Sequence, residues 1–242
     1  MTTVLRPIEL SVKRGQFRAD DAMSPVADAA FKQARSERLR MDNHTCQFCG
    51  FAAGKYQEVH HVNDDHADNR AEENLVTACP LCHLCHHVGF AGAQDKAVLV
   101  YFGKAPGITQ ADLNQIVRAL WIGRSSQDRD VSLLSINLMS RLLKGTVGAR
   151  RLTGTSDPTV LGDFLLHMDQ ASYARRGEYL DGLFLLPLDT GFQKQIEYWR
   201  TETFKGLPVS KWVDVARQYA ERWAKASTGK DGIAGVRALL GA

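Results

Sequence analysis

The apolar positions of this chain fall into short, well-punctuated groups whose spacing changes along the sequence. Residues 4–12 mix apolar and charged side chains in a pattern suited to one strand, with Gly15, Asp20 and Asp21 marking turns after it. Over 27–41, Ala30, Phe31, Ala34, Arg38, Leu39 and Met41 fall at near-helical spacing, which predicts a helix delivering the chain into Cys46. Residues 97–102, rich in Val, Leu, Tyr and Phe, predict a short buried strand ended by Gly103 and Pro106. Thr109 with Asp112 three residues on is a helix cap, and Leu113, Ile116, Val117, Leu120 and Trp121 line one stripe of the helix that follows. It ends at Gly123. Residues 130–144 predict a further helix stopped by Gly145. Its apolar positions, Val131, Leu133, Leu134, Ile136, Leu138, Leu142 and Leu143, wrap a wide face, so extensive burial is expected.

Residues 153–158 form a turn cluster in which Ser156 or Asp157 caps a helix that has Pro158 at its first position. Leu161, Phe164, Leu165 and Met168 are its expected buried face. Short helices are predicted over 171–181 and 191–204, the latter with Phe192, Ile196 and Trp199 in register. Pro208 opens a last stretch, 210–226, with Trp212, Val215, Ala216, Tyr219 and Trp223 on one face. No repeat or low-complexity linker separates these parts. One domain over 1–242 is therefore expected, its helical remainder running over 108–226.

Composition narrows the function classes. With 242 residues and 44% apolar side chains, the chain can build a core. No run approaches the roughly 20 apolar residues of a membrane-spanning helix. Residues 1–10 lack the basic, apolar and small-residue order of a signal peptide, so a cytoplasmic protein is expected. A net charge of +3 does not by itself announce a nucleic-acid binder. Two local clusters, Lys32, Arg35, Arg38 and Arg40, and Arg150 with Arg151 in an expected loop, could touch phosphate or be solvated faces.

Cysteine spacing is more informative. The five cysteines, Cys46, Cys49, Cys79, Cys82 and Cys85, are too few and too clustered for a disulfide framework. Zinc prefers four ligands in a tetrahedron, and two residues between paired cysteines let a tight knuckle grip one edge of it. Cys46-Gln-Phe-Cys49 and Cys79-Pro-Leu-Cys82 supply two such knuckles, with Gly50 where the turn favours glycine. Structural Zn2+ is expected there. Cys85 forms a second C-x-x-C with Cys82, which leaves the fourth ligand open. Six of the eight histidines, His60, His61, His66, His83, His86 and His87, lie close by.

The sequence Glu58-Val-His60-His61-Val62, then Asn74, then His83 and His87 four apart, resembles the HNH endonuclease motif. That resemblance implies that His60, His83 and His87 hold a catalytic divalent cation, Mg2+, Mn2+, Ni2+ or a second Zn2+. It makes His61 the general base and Asn74 a brace for the loop that orients it. The i, i+4 spacing would place His83 and His87 on one face of the closing helix. Phosphodiester hydrolysis needs an activated water and a cation against the developing charge, which such a set can supply. Arg38, Arg40 or Lys55 would line the approach of DNA. Two plainer readings stay open: a histidine-rich surface that assists zinc folding, and an HNH scaffold kept only as a platform.

The segments Thr45-Cys-Gln-Phe-Cys-Gly-Phe51, Asn74-Leu-Val-Thr-Ala-Cys79, Thr155-Ser-Asp-Pro158, Leu185-Leu-Pro187 and Phe192-Gln-Lys-Gln-Ile-Glu197 with Trp199 are similar to the IcmJ (DotN) family of type IVB secretion and conjugation systems. The resemblance implies a cytoplasmic adaptor of the coupling complex at the inner face of the inner membrane, docked on the C-terminal region of the coupling ATPase. Members of that family can keep the cysteines while lacking the HNH histidines; this chain has both. An apolar groove around Trp121, Phe192 or Trp199 is the expected place for a partner peptide. The fold class that follows is α+β: a zinc-stapled treble-clef (HNH, ββα-metal) module over 42–90, packed against a mainly helical remainder.

Overall fold

The structure is a computed structural model that describes residues 5–15, 24–104 and 107–206. The predicted stretch 210–226, Pro106, and the turn residues Asp20 and Asp21 lie outside the described residues. Helix α1 (Ser24–Met41) leads into the first knuckle as expected. Strands β1 (Glu58–His61) and β2 (Leu75–Ala78) pair antiparallel, with Glu58 opposite Ala78 and His61 opposite Leu75. The short helix α2 (Pro80–Leu84) closes this ββα unit, and α3 (Val88–Ala93) follows one turn later.

The alternation of β1 sorts two neighbouring histidines. Successive strand residues point to opposite faces. Val59 joins Ala34, Leu39 and Leu75 in a small apolar cluster beneath α1, and His61 stacks on Phe31 of that helix, with centroids 5.3 Å apart. His60 points the other way, toward α2 and the turn after it, where it stacks on His86 at 4.2 Å. Asp42 ties α1 to the hairpin: it accepts from Arg38 and, at 3.0 Å, from the backbone N–H of Thr77.

The remainder is mainly helical. Strand β3 (Ala97–Tyr101) is followed by α4 (Gln110–Arg124), α5 (Arg129–Leu143), α6 (Gly145–Thr153), α7 (Pro158–His167), α8 (Gln170–Ala174) and α9 (Arg176–Tyr179). Strand β4 (Leu183–Pro187) then returns to pair antiparallel with β3, Leu99 facing Leu185. Helix α10 (Gln193–Tyr198) and a π-helical turn (Trp199–Thr203) complete the described chain. One apolar cluster runs from Leu10 through the knuckle cysteines and both sheet strands to Trp199. The module and the helices therefore share a core. Among the described residues no helix is long and apolar enough to cross a membrane.

Capping chemistry set several boundaries as the sequence suggests. Thr109 and Asp112 form a reciprocal capping box at α4. Asp157 caps α7, with Pro158 in its first turn. Four expectations are corrected. Residues 5–12 form no strand; this extended segment instead makes single bonds to the module, Arg6 N–H to Gln47 O of the first knuckle at 2.9 Å and Ser11 N–H to Cys85 O, past the second, at 3.0 Å. Helix α5 is not well buried: Leu133, Leu134 and Ile136 stand 46%, 43% and 42% exposed, so its apolar positions exceed what α4 covers. Gly145 does not end the helical path but begins α6, which places Arg150 and Arg151 on a helix rather than a loop. Phe164, expected in the buried face of α7, is 60% exposed.

Candidate metal centres

The two knuckles meet at one point. The sulfurs of Cys46, Cys49, Cys79 and Cys82 all lie within 4.8 Å of one another, and all four residues are buried. Cys49 Sγ and Cys79 Sγ are 3.8 Å apart. A tetrahedral ion with Zn–S bonds of about 2.3 Å has edges of about 3.8 Å, so the cluster could hold a metal ion such as zinc. Local geometry explains the convergence. Gly50 turns the first knuckle at φ +74°, in the left-handed region, and its N–H closes onto Cys46 O at 2.9 Å. Pro80 starts α2 directly after Cys79, so Cys82 returns one helical turn later. Cys85 is not in the cluster: its thiol donates to Leu81 O at 3.3 Å. Burial pushes the Cys85 thiol up, and burial with the neighbouring sulfurs does the same to Cys82. A bound cation would favour thiolates there.

Helix α4 closes the inner side of this cluster. Asn114 Nδ2 donates to Cys82 Sγ at 3.4 Å, and Gln115 Nε2 donates to Cys49 O at 2.7 Å. Arg118, fully enclosed, donates from Nη2 to Cys79 Sγ at 2.9 Å. Hydrophobic spacing predicts the apolar stripe of α4 but not these polar residues beside it. Their signal is a polar run, Asn114-Gln115 and then Arg118, threaded through an otherwise buried helix.

A second centre stands on the other face of α2. One ring nitrogen each of His60, His83 and His87 lies within 4.8 Å of the others, and His83 Nε2 to His87 Nε2 is 3.2 Å. Three imidazoles on one ion, with M–N bonds of about 2.0–2.1 Å, would have nitrogens about 3.4 Å apart. His83 Nδ1 is 2.5 Å from Glu58 Oε2, the arrangement in which a carboxylate fixes the tautomer of a metal-binding imidazole. Partial burial works against the charge of Glu58, but the His83 hydrogen bond and nearby positive charge hold its carboxyl below the ordinary range. Burial, with His83 and His86 beside it, depresses His87 to about 3; burial and the surrounding histidines push His60 lower still. Both rings are neutral at neutral pH and present lone pairs to a cation. One detail differs from expectation. α2 ends at Leu84, and His87 sits at the N-cap of α3 rather than on the helix of His83. A turn with His86 N–H on His83 O and His87 N–H on Leu84 O brings it back over His83 nonetheless.

His61 lies outside that group. Its Nε2 is 3.3 Å from Asn69 Oδ1, and it lines a cavity of about 170 Å3 together with the three clustered histidines, Lys13, Asp64 and His66. Asn74 closes the intervening loop: its Oδ1 accepts from Asn63 N–H at 3.0 Å and its Nδ2 donates to Asp68 O at 2.8 Å. Of the expected phosphate-facing cations, Arg38 is taken up by Asp42 and by Ala71 O, and Lys55 lies over the Tyr198 ring at 5.7 Å. Lys13, outside both predicted basic clusters, lies at the cavity instead. The expected groove around Trp121, Phe192 and Trp199 is not formed. All three are enclosed, Trp121 stacking on Phe192 at 5.4 Å and Trp199 packing edge-on to Phe51 at 5.5 Å.

No protein-family model matches the chain. It is 32% identical over 188 residues to the type 4 apparatus protein DotN of Legionella pneumophila, a span covering 74% of this chain and 84% of that protein. The chain belongs to the DotN family. The DotN-like segments fall at structural junctions: Thr45 to Phe51 is the first knuckle, Asn74 to Cys79 is β2 and the entry to α2, and Ser156 to Pro158 caps α7. Leu185 to Pro187 is the end of β4, and Phe192 to Trp199 is α10 with its two flanking core aromatics. This DotN-family chain thus carries its four-cysteine cluster in the main apolar core and its three-histidine group, buried to half-buried, beside a small cavity on the other face of α2.

Proposed function

We propose that this protein is an adaptor subunit of a type IVB secretion or conjugation apparatus, working at the cytoplasmic face of the inner membrane. It docks on the C-terminal region of the coupling ATPase, and zinc bound by Cys46, Cys49, Cys79 and Cys82 holds its module. The observation that carries this reading is the likeness to DotN over most of both chains. The enclosed aromatics are not the docking face. The apolar residues left at the surface of α5, Leu133, Leu134 and Ile136, are, since three such side chains within one helical turn make an exposed apolar patch. Titration of the purified protein with the C-terminal tail of its cognate coupling ATPase is the direct test. Micromolar or tighter binding that Leu133→Glu with Ile136→Glu removes is the expected result; no binding at those concentrations rules the adaptor out.

The convergence of His60, His83 and His87 on one point, braced by Glu58, favours a second reading, a metal-dependent HNH endonuclease. A divalent ion on those nitrogens would polarise a phosphodiester and stabilise the leaving oxygen. His61 then accepts the proton of the attacking water. Its Nε2 lies 3.3 Å from Asn69 Oδ1, a contact that would orient the ring. Lys13 would draw the phosphate into the cavity. Nicking of plasmid DNA in Mg2+, Mn2+ or Ni2+ that His61→Ala abolishes is the expected result. Cleavage unchanged in that variant excludes this mechanism.

A further inference from the structure

Helix α4 carries a charge that the apolar core does not account for. Arg118 is 1% exposed, and among the described residues no carboxylate pairs with it. Its guanidinium lies 3.7 Å from the Phe51 ring centroid and 5.2 Å from that of Trp199. Nη1 donates to Gln115, Nη2 to Cys79 Sγ, and Nε has no partner. Moving a charge out of water without a counter-ion is among the most costly steps in folding. The two ring faces supply part of the compensation. The remaining groups able to carry negative charge against it are the knuckle sulfurs.

Four neutral thiols would not balance Arg118, and four thiolates around a divalent ion would leave two surplus negative charges in a low-dielectric core. Each problem answers the other. Asn114, four residues before Arg118 on the same helical face, adds a donor to Cys82.

We propose that Arg118 is a positioning residue of the four-cysteine centre, a resident counter-charge that sets metal affinity from a helix outside both knuckles. Its guanidinium neutralises half of the surplus charge on a tetrathiolate-bound dication, and Asn114 orients a second sulfur. This rests on the reading of Cys46, Cys49, Cys79 and Cys82 as ligands of a divalent ion.

The test uses the full chain, with zinc affinity read by competition against a chromophoric chelator and the thiolate-to-cobalt charge-transfer bands read after Co2+ substitution. Arg118→Met, similar in length and uncharged, is expected to weaken zinc binding about 10–100-fold and to shift the cobalt bands. Arg118→Lys keeps the charge and loses the planar fork, so it should recover part of the affinity; Asn114→Leu should give a smaller loss. A purely structural arginine would lower the melting temperature while leaving the bands in place and the affinity within about twofold, and that result overturns the proposal. Should Arg118→Met fail to fold, Arg118→Lys and Asn114→Leu decide by the same readouts, an unchanged affinity and spectrum in both being the negative result. Absence of thiolate-to-cobalt bands in the unaltered chain would instead remove the metal centre itself.

Discussion

Helices α3 and α7 cross where Gly89 meets Gly162, and the crossing is asymmetric. A Cβ built on Gly162 would stand 2.3 Å from Gly89 Cα and 2.7 Å from Gly89 N, whereas one on Gly89 would stand 3.4 Å from Gly162 Cα. Ordinary carbon contacts begin near 3.5 Å, so Gly162→Ala requires the helices to part by roughly 1 Å. The obstructing atoms are backbone, and no rotamer change relieves them. Overpacking of this kind costs about 1–3 kcal/mol, and exchanging a helical glycine for alanine returns about 1 kcal/mol. Gly162→Ala should therefore destabilise by about 1 kcal/mol, a fall in melting temperature of about 2–4 °C for a chain of this size. Gly89→Ala should be close to neutral, because its contact is within van der Waals range and the helix-propensity gain remains. The consequence reaches the histidine cluster, since α3 begins directly after His87. Thermal melts of both variants by circular dichroism check the argument. Equal melting temperatures for the two would refute the close crossing on which it depends.

Asp42→Asn should destabilise the chain at pH 7 by about 1–2 kcal/mol after screening, because one carboxylate serves both Arg38 and the Thr77 N–H. Burial opposes the charge of Asp42, but the Arg38 and Thr77 hydrogen bonds hold its pKa below the usual carboxylate value. A depressed folded-state pKa gives stability that is present above about pH 4 and is lost as pH falls through the folded value. Denaturant titrations from pH 7 to 3 should accordingly show a shallower acid loss in Asp42→Asn than in the unaltered chain. Thr109→Ala removes one half of the α4 capping box and should cost about 1 kcal/mol in the same titration.

The sequence discloses those features that local chemistry determines. Thr109 with Asp112, Asp157 with Pro158, and Gly50 after Cys49 each act within a few residues, so capping and turn rules find them without tertiary context. The C-x-x-C spacing and the HNH-like pattern likewise lead to two groups of ligand atoms that the fold does bring together. Features set by distant partners were not legible. Strand β4 is a continuous apolar run, Leu183 to Leu186, buried on both faces, and carries no alternation that separates strand from helix. Its partner β3 ends at Tyr101, and 81 residues, 102 to 182, separate the two strands. The apolar face of α5 gave the opposite error. Hydrophobic spacing predicts burial, yet Leu133, Leu134 and Ile136 remain at the surface of the described chain. The polar backing of the knuckles by Asn114, Gln115 and Arg118 was hidden because a polar residue on a helix ordinarily marks its solvent face.

On the proposed reading two centres divide their duties, the cysteine site holding the fold and the buried to half-buried histidines facing a small cavity. Metal content measured by mass spectrometry, alongside thermal melting, tests that division most directly. Zinc bound at the thiolates would be folding free energy, since the unfolded chain has no preformed site. Cys46→Ser should lose the tightly bound zinc and melt the module. His60→Ala and His83→Ala should keep about one tightly bound zinc per chain and change the melting temperature little. Release of that zinc with unfolding in the histidine variants, to the extent seen in Cys46→Ser, would contradict the division and assign the imidazoles to the structural site.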